Sequence, residues 1–184
     1  MKLENLIFTQ TWDALARPSL GPSDGVPSTI DVTYQSQFSW LDIFGILGSF
    51  SGSDNLKRVG FAQILSKLER LHSAQSVKMI AQSSTPQLIF QFMINDNSSA
   101  ALKGKYVAKM VFSSSKKQTF VFSAEDFVYS VRGEVIPDAP PVNLNQIHSL
   151  GWLVTRSIQP SPLNGALSVS PFSLRIHELN LESF

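Results

Sequence analysis

The chain has 184 residues, the length of one domain whose single hydrophobic core needs no disulfide or metal to hold it. With 15 Lys and Arg against 14 Asp and Glu the formal charge is +1, so no broad positive field attracts DNA, and a nucleic-acid role would need a local basic patch. The absence of cysteine excludes disulfides, thiolate metal sites and a cysteine nucleophile.

From the N-terminus, Leu3 to Ala16 place Leu3, Ile7 and Leu15 loosely on one side of a short helix, which Pro18, Pro22 and Pro27 stop. The segment lacks a signal peptide's apolar run and carries the acids that transit peptides avoid, so it is read as mature sequence. Residues 1–28 are expected to form an arm and residues 29–184 one domain.

Ile30, Val32 and Tyr34 alternate with Asp31 and Thr33, which predicts a half-buried strand over 29–35. Next, Trp40, Ile43, Phe44, Ile46 and Leu47 crowd more apolar side chains into eight residues than one buried face holds. Gly45 and Gly48 argue for a bent or loop-like course there. Two readings stay open: a strand buried on both faces, or an exposed apolar patch that docks on a partner, with Phe44 and Leu47 as its contacts. Further on, Ile64, Leu68 and Leu71 recur at helical spacing, so a strand ending at Leu65 is expected to give way to a short helical turn.

Strand signals then repeat at the intervals of an all-β domain. They fall at Ser76–Ala81, at Gln87–Ile94 with Leu88, Phe90, Phe92 and Ile94 on one face, at Tyr106–Phe112, at Thr119–Ser123, at Ile147–Val154 and at Phe172–Ile176. Asn95-Asp96-Asn97 and Ser113 to Lys117 read as turns. About nine strands, each with one apolar face, must cover one another, which predicts an all-β antiparallel sandwich of jelly-roll kind.

No constellation for catalysis or metal binding stands out. His72, His148 and His177 lie far apart without ligand spacing, and no G-x-S-x-G elbow marks a nucleophile. Glu125-Asp126 are neighbours whose side chains diverge on a strand, so they read as a turn. The basic pairs Lys57-Arg58 and Lys116-Lys117 read as solvated turn charges. No catalytic residue, metal or cofactor is assigned. The better candidates for partner binding are Arg132, Gly133 and Asp138, beside a loop that Pro137, Pro140 and Pro141 make rigid. The alternative for Arg132 and Asp138 is that they pair with each other or cap backbone groups within the loop.

The order Glu125-Asp126-Phe127, Arg132-Gly133, Asp138-Ala139-Pro140-Pro141 and Ile147-x-Ser149-Leu150-Gly151 closely resembles the complex I intermediate-associated protein 30 family, which includes a domain of a plastid photosystem translation factor. Phe50, Gly52 and the run Gly60-Phe61-Ala62 resemble the family's opening strands. The family's acidic pair and double glycine are absent, and Ser23-Asp24-Gly25-Val26-Pro27-Ser28 stands in that region.

The resemblance implies a galactose-binding-domain-like sandwich and a non-enzymatic assembly factor whose partners are protein subunits of a membrane electron-transfer complex, respiratory or photosynthetic. It also implies a cytoplasmic protein touching the thylakoid or inner membrane. The alternatives are an RNA-linked biogenesis factor, a permanent linker in a photosynthetic assembly, or a carbohydrate-binding module. A sugar site calls for exposed Trp or Tyr near carboxylates or amides, and the tryptophans are Trp12, Trp40 and Trp152, of which Trp152 is expected in the core.

Overall fold

A computed structural model describes residues 28–48, 61–86, 88–96, 104–131, 133–155 and 170–182, together with the backbone of 13–17. These residues form strands β1 (Asp13–Arg17), β2 (Thr29–Gln35), β3 (Trp40–Leu47), β4 (Phe61–His72), β5 (Ser76–Ser83) and β6 (Ile89–Asp96). The second half adds β7 (Lys105–Met110), β8 (Gln118–Phe122), β9 (Val128–Val131), β10 (Glu134–Val135), β11 (Ile147–Thr155) and β12 (Ser170–Glu182). Short 3-10 turns at Ala124–Asp126 and Leu144–Gln146 complete the elements. No helix among the described residues is long and apolar enough to cross a membrane.

The strands build a seven-stranded sheet in the order β1-β4-β11-β6-β7-β9-β10 and a five-stranded sheet in the order β2-β3-β12-β5-β8. Every pairing is antiparallel. Two such sheets, each with one apolar face, exclude water only by facing each other, which gives the β-sandwich of jelly-roll kind that the alternation predicts. The contacts across the interface are aromatic and specific. Phe92 of β6 stacks on Phe122 of β8 at 5.6 Å, and the Trp152 indole N–H of β11 points at the Met79 sulfur of β5 at 3.4 Å.

Period two explains most of the burial. On β6, Phe90, Phe92 and Ile94 are buried; on β5, Val77, Met79 and Ala81 are. Gly151 of β11 faces the β4 backbone so closely that a methyl group there would overlap the Ile64 carbonyl oxygen. That gives the glycine of the Ser149-Leu150-Gly151 sequence a packing reason.

Four expectations are corrected. Asp13–Arg17 is not helix but an edge strand paired with Phe61–Leu65 of β4, so the segment before residue 29 contributes to the sheet. Residues 3–12 lie outside the described residues.

The helical turn after Leu65 is instead the continuation of a 12-residue strand. A spacing of four is even, so it also satisfies period two, and the buried Ala62 and Ser66 alongside Ile64 and Leu68 identify the strand. Asn95 and Asp96 are not a turn but the end of β6, where the buried Asp96 carboxylate accepts the Asn143 N–H at 2.7 Å. Lastly, the last strand runs well beyond Ile176, to Glu182.

Candidate functional site

The stretch from Val128 to Asn143 begins as a hairpin. β9 and β10 pair Glu134 with Val131 and Val135 with Ser130, and Gly133 closes the turn at φ 89°, a conformation that L side chains resist. Among the described residues, its chain neighbours apart, no atom lies within 4 Å of where a Cβ would sit, so conformation and not space requires glycine. Arg132 lies outside the described residues, so its pairing with Asp138 is left open. Asp138 itself is exposed and has no ion pair among the described residues.

The loop that follows is fastened along its length. Ile136 N–H donates to the Tyr129 carbonyl at 3.0 Å and Ala139 N–H to the Ile136 carbonyl at 3.3 Å. The Tyr106 hydroxyl donates to the Pro140 carbonyl at 2.9 Å, Asn143 N–H donates to Asp96, and Val142 is buried. Between these anchors, Val135 (55% exposed) and Ile136 (40% exposed) present apolar side chains to solvent. Prolines and hydrogen bonds hold the backbone in place, so a partner would meet a preformed surface and little ordering entropy would be lost. Glu125 and Asp126 do form a turn: the Asp126 carboxylate accepts the Ser123 N–H and hydroxyl at 2.7 and 2.9 Å.

The Trp40–Leu47 segment is neither buried on both faces nor loop-like. It is a regular strand between β2 and β12, and Gly45 is there because a side chain would overlap the Thr29 carbonyl of β2. Alternation sends Leu41, Ile43 and Leu47 inward and Trp40, Asp42, Phe44 and Ile46 outward. Leu47 is therefore a core residue and not a partner contact. Phe44 remains exposed.

At the β2–β3 turn this outer face carries a polar and aromatic cluster. Arg175 of β12 sits opposite Asp42 and donates to its two carboxylate oxygens, Nε to Oδ1 at 2.6 Å and Nη2 to Oδ2 at 3.1 Å. Its guanidinium also lies 4.2 Å from the Trp40 ring centroid, while the Trp40 indole N–H donates to Asp42 Oδ2 at 3.2 Å. Phe38 stacks on Trp40 at 4.6 Å with its ring 10° from parallel.

His177 meets Trp40 edge-on at 5.5 Å and Gln82 at 3.1 Å. Burial first, and then the positive charges of Lys117 and Arg175, push the His177 imidazole down to about 4 against a smaller opposing pull from Asp42. The ring is neutral near pH 7. Because a Gln oxygen only accepts, Nε2 carries the proton and Nδ1 is an acceptor.

Single-residue reasoning does not find this cluster, because Asp42 and Arg175 are 133 positions apart and meet only through β3–β12 pairing. The signal available is alternation, which places Trp40 and Asp42 on one face of β3 and Arg175 on one face of β12. Which faces meet is decided by topology.

Trp152 is buried as expected, and Trp12 lies outside the described residues. Lys116 and Lys117 are exposed in a turn, while Lys57-Arg58, Phe50, Gly52, Gly60 and residues 23–27 lie outside the described residues. Among the described residues no three His, Asp or Glu side chains cluster as metal ligands would.

The described residues thus form a two-sheet antiparallel sandwich with a hydrogen-bonded loop after β10 and an aromatic cluster on the outer face of the five-stranded sheet. The sequence pattern of the complex I intermediate-associated protein 30 family matches residues 32–176, and the chain belongs to that family. No curated protein matches the chain significantly.

Among solved structures the chain is similar to the family 11 carbohydrate-binding module of a cellulosomal cellulase of Clostridium thermocellum, with a TM-score of 0.61 at 8% identity over 100% of this chain and 94% of that one. A second structure, of the family 11 module from that organism in complex with a β-1,3-1,4-mixed-linked tetrasaccharide, gives a TM-score of 0.62 at 10% identity over 98% and 94%. At such identities the likeness concerns the fold. Membership of the family supports an assembly-factor type of role connected with complex I.

Proposed function

We propose that this protein is a non-enzymatic assembly factor that docks on protein subunits of a membrane electron-transfer complex through the loop from Gly133 to Pro141. The observation that carries the reading is the pair of exposed apolar side chains, Val135 and Ile136, on a backbone fastened by the Tyr129 and Ile136 carbonyls, the Tyr106 hydroxyl and the Asp96 carboxylate. Protein interfaces concentrate their energy in a few apolar anchors that lose little entropy on binding, and such a loop supplies them. The net charge of +1 fits docking by shape and apolar contact better than steering by charge.

Family membership supports the same kind of role, and a domain of this sort would act at the surface of the membrane that holds the complex. Affinity purification of the tagged protein from gently solubilised native membranes, with mass spectrometry of the co-purifying chains, tests the reading. Subunits of complex I or of a related electron-transfer complex are expected. Recovery of the bait alone would contradict it.

A further inference from the structure

We propose that the outer face of the seven-stranded sheet binds a small hydroxylated carboxylic acid, with its carboxylate on Lys105 and Gln63 and a hydroxyl group on Asn95. This inference does not rest on the docking role of the Gly133–Pro141 loop.

The first observation is the shape of the face. Outward-pointing Met93, Val107 and Leu153 pack with Leu65 into an apolar cluster separate from the main core, and those three are buried although they lie outside the sandwich. One bond shows how the sheet curves. Gln63 of β4 is level with Leu153 of β11 and Gln91 of β6, whereas Lys105 of β7 follows the Ile94–Tyr106 pair and is level with Asn95, four residues further along β6. In a flat sheet, three strand spacings and four residues would set the two Cα atoms roughly 20 Å apart, beyond what an extended lysine and glutamine bridge end to end. Yet Lys105 Nζ donates to Gln63 Oε1 at 2.8 Å, so the sheet curls and this face is concave along that diagonal.

The second observation is a cation without a counter-ion. Lys105 is half-buried, and the Gln63 oxygen is its one side-chain partner among the described residues, which leaves two of its three donors and the Gln63 amide nitrogen without a bond there. The described side chains on this face of β4, β11, β6, β7 and β9 include no Asp or Glu, while exposed Lys67 and Lys109 add positive charge. Burial holds the Lys105 amine below the ordinary lysine value, because no opposite charge replaces the water it has lost. A carboxylate supplies that missing charge.

The third observation is an unsatisfied acceptor level with the lysine. Asn95 donates its amide nitrogen to Ser149 Oγ at 2.9 Å and keeps a buried Oδ1 with no hydrogen bond. Buried acceptors are nearly always satisfied, so this one calls for a donor. A carboxylate cannot donate, but a hydroxyl on the same molecule can, which makes the ligand a hydroxy acid. One half-buried positive charge suits a carboxylate better than a doubly charged phosphate, and a concave face suits a small molecule better than an acidic side chain on a protein surface.

The full chain is titrated by calorimetry with D-glucuronate and D-gluconate, with hexanoate, which has the carboxylate and lacks the hydroxyls, and with inorganic phosphate. Saturable binding of a hydroxy acid is expected, with hexanoate and phosphate each weaker by roughly ten-fold or more. Lys105→Met is expected to abolish it and to keep or raise the melting temperature of the ligand-free protein, because an apolar chain of similar length replaces an unpaired charge. Gln63→Ala should weaken binding roughly ten-fold. Lys109→Gln, at an exposed position, should change it by about two-fold or less. No binding of either hydroxy acid, equal binding of hexanoate or phosphate, or a Lys105→Met variant that binds as the wild type does would overturn the proposal. A zero-length crosslink joining the Lys105 amine to an acidic residue of a partner subunit in native membranes would also overturn it, giving the face to a protein.

Discussion

Arg175 and Asp42 stand directly opposite each other on β12 and β3 and share two hydrogen bonds, 2.6 and 3.1 Å long, although 133 positions separate them. The pair is partly exposed, so its Coulomb energy is screened, and its worth lies mainly in two charge-assisted hydrogen bonds with fixed geometry. Arg175→Ala is expected to destabilise the protein by about 1–3 kcal/mol in urea melts. Arg175→Lys, which keeps the charge and loses the fork, should restore only part of that. An unchanged urea midpoint in both variants would show that the pair contributes nothing to the fold.

His177 gives a pH dependence whose direction is fixed by its depressed value. Unfolded, the imidazole titrates near 6.5; folded, at about 4, so between those values the unfolded chain binds the proton and the native one does not. This contribution to stability is complete above pH 6.5 and is lost as the pH falls towards 4. His177→Gln should therefore flatten the acid side of the stability profile in that window, and the imidazole resonance of the wild type should stay that of the neutral ring down to about pH 5. A His177 midpoint near 6.5 by NMR would contradict the packing described for it.

The core and the surface should separate cleanly. Phe92 is fully buried and touches Phe122, Phe127 and Trp152, so Phe92→Ala is expected to cost about 3–5 kcal/mol. Val121 lies on the outside of the five-stranded sheet, and Val121→Ala should change stability by about 0.5 kcal/mol or less. Similar urea midpoints for the two variants would mean that the register of β6 is wrong.

Two glycines should respond for different reasons. At Gly133 a methyl group has room but the backbone at φ 89° does not suit it, so Gly133→Ala should cost about 1–2 kcal/mol and leave a folded protein. At Gly151 the methyl would overlap the β4 backbone at Ile64, which a strand paired on both sides relieves only by breaking its ladder. Gly151→Ala is expected to give little soluble protein. Equal, mild effects would show that β4 and β11 are not packed as described.

Much of this fold is legible in the sequence because most strands bury one face, and Phe90-Phe92-Ile94 display that at period two; on β2 the alternation holds for the partly buried Ile30 and Val32, while Tyr34 is exposed. Family resemblance, carried by residues 125–151, points to the same sandwich and is matched over residues 32–176. What misled was ambiguity built into the chemistry. Ile64 and Leu68 fit a helix and a strand equally, and Asn95-Asp96 resemble a turn until the Asp96 carboxylate is seen holding Asn143.

Apolar density alone joins Leu47 to Phe44 in one patch, because it does not say which side of the strand a residue takes. An odd separation on a strand puts the two on opposite faces, and Leu47 went to the core. The rigid loop was legible from its prolines, yet its apolar tips, Val135 and Ile136, stand out only once their exposure is known. The aromatic cluster was not legible, since it is assembled by pairing between chain ends.

The central claim is that the loop around Val135 and Ile136 docks on protein subunits of a membrane electron-transfer complex. The measurement that reaches it most directly is a quantitative co-purification from native membranes with the wild type and with the double substitution Val135→Asp and Ile136→Asp. Both side chains are at the surface, so the substituted protein should melt within a few degrees of the wild type. The account predicts that the wild type recovers subunits of the complex and that the variant, equally folded, loses them. Equal recovery by the two proteins would contradict it.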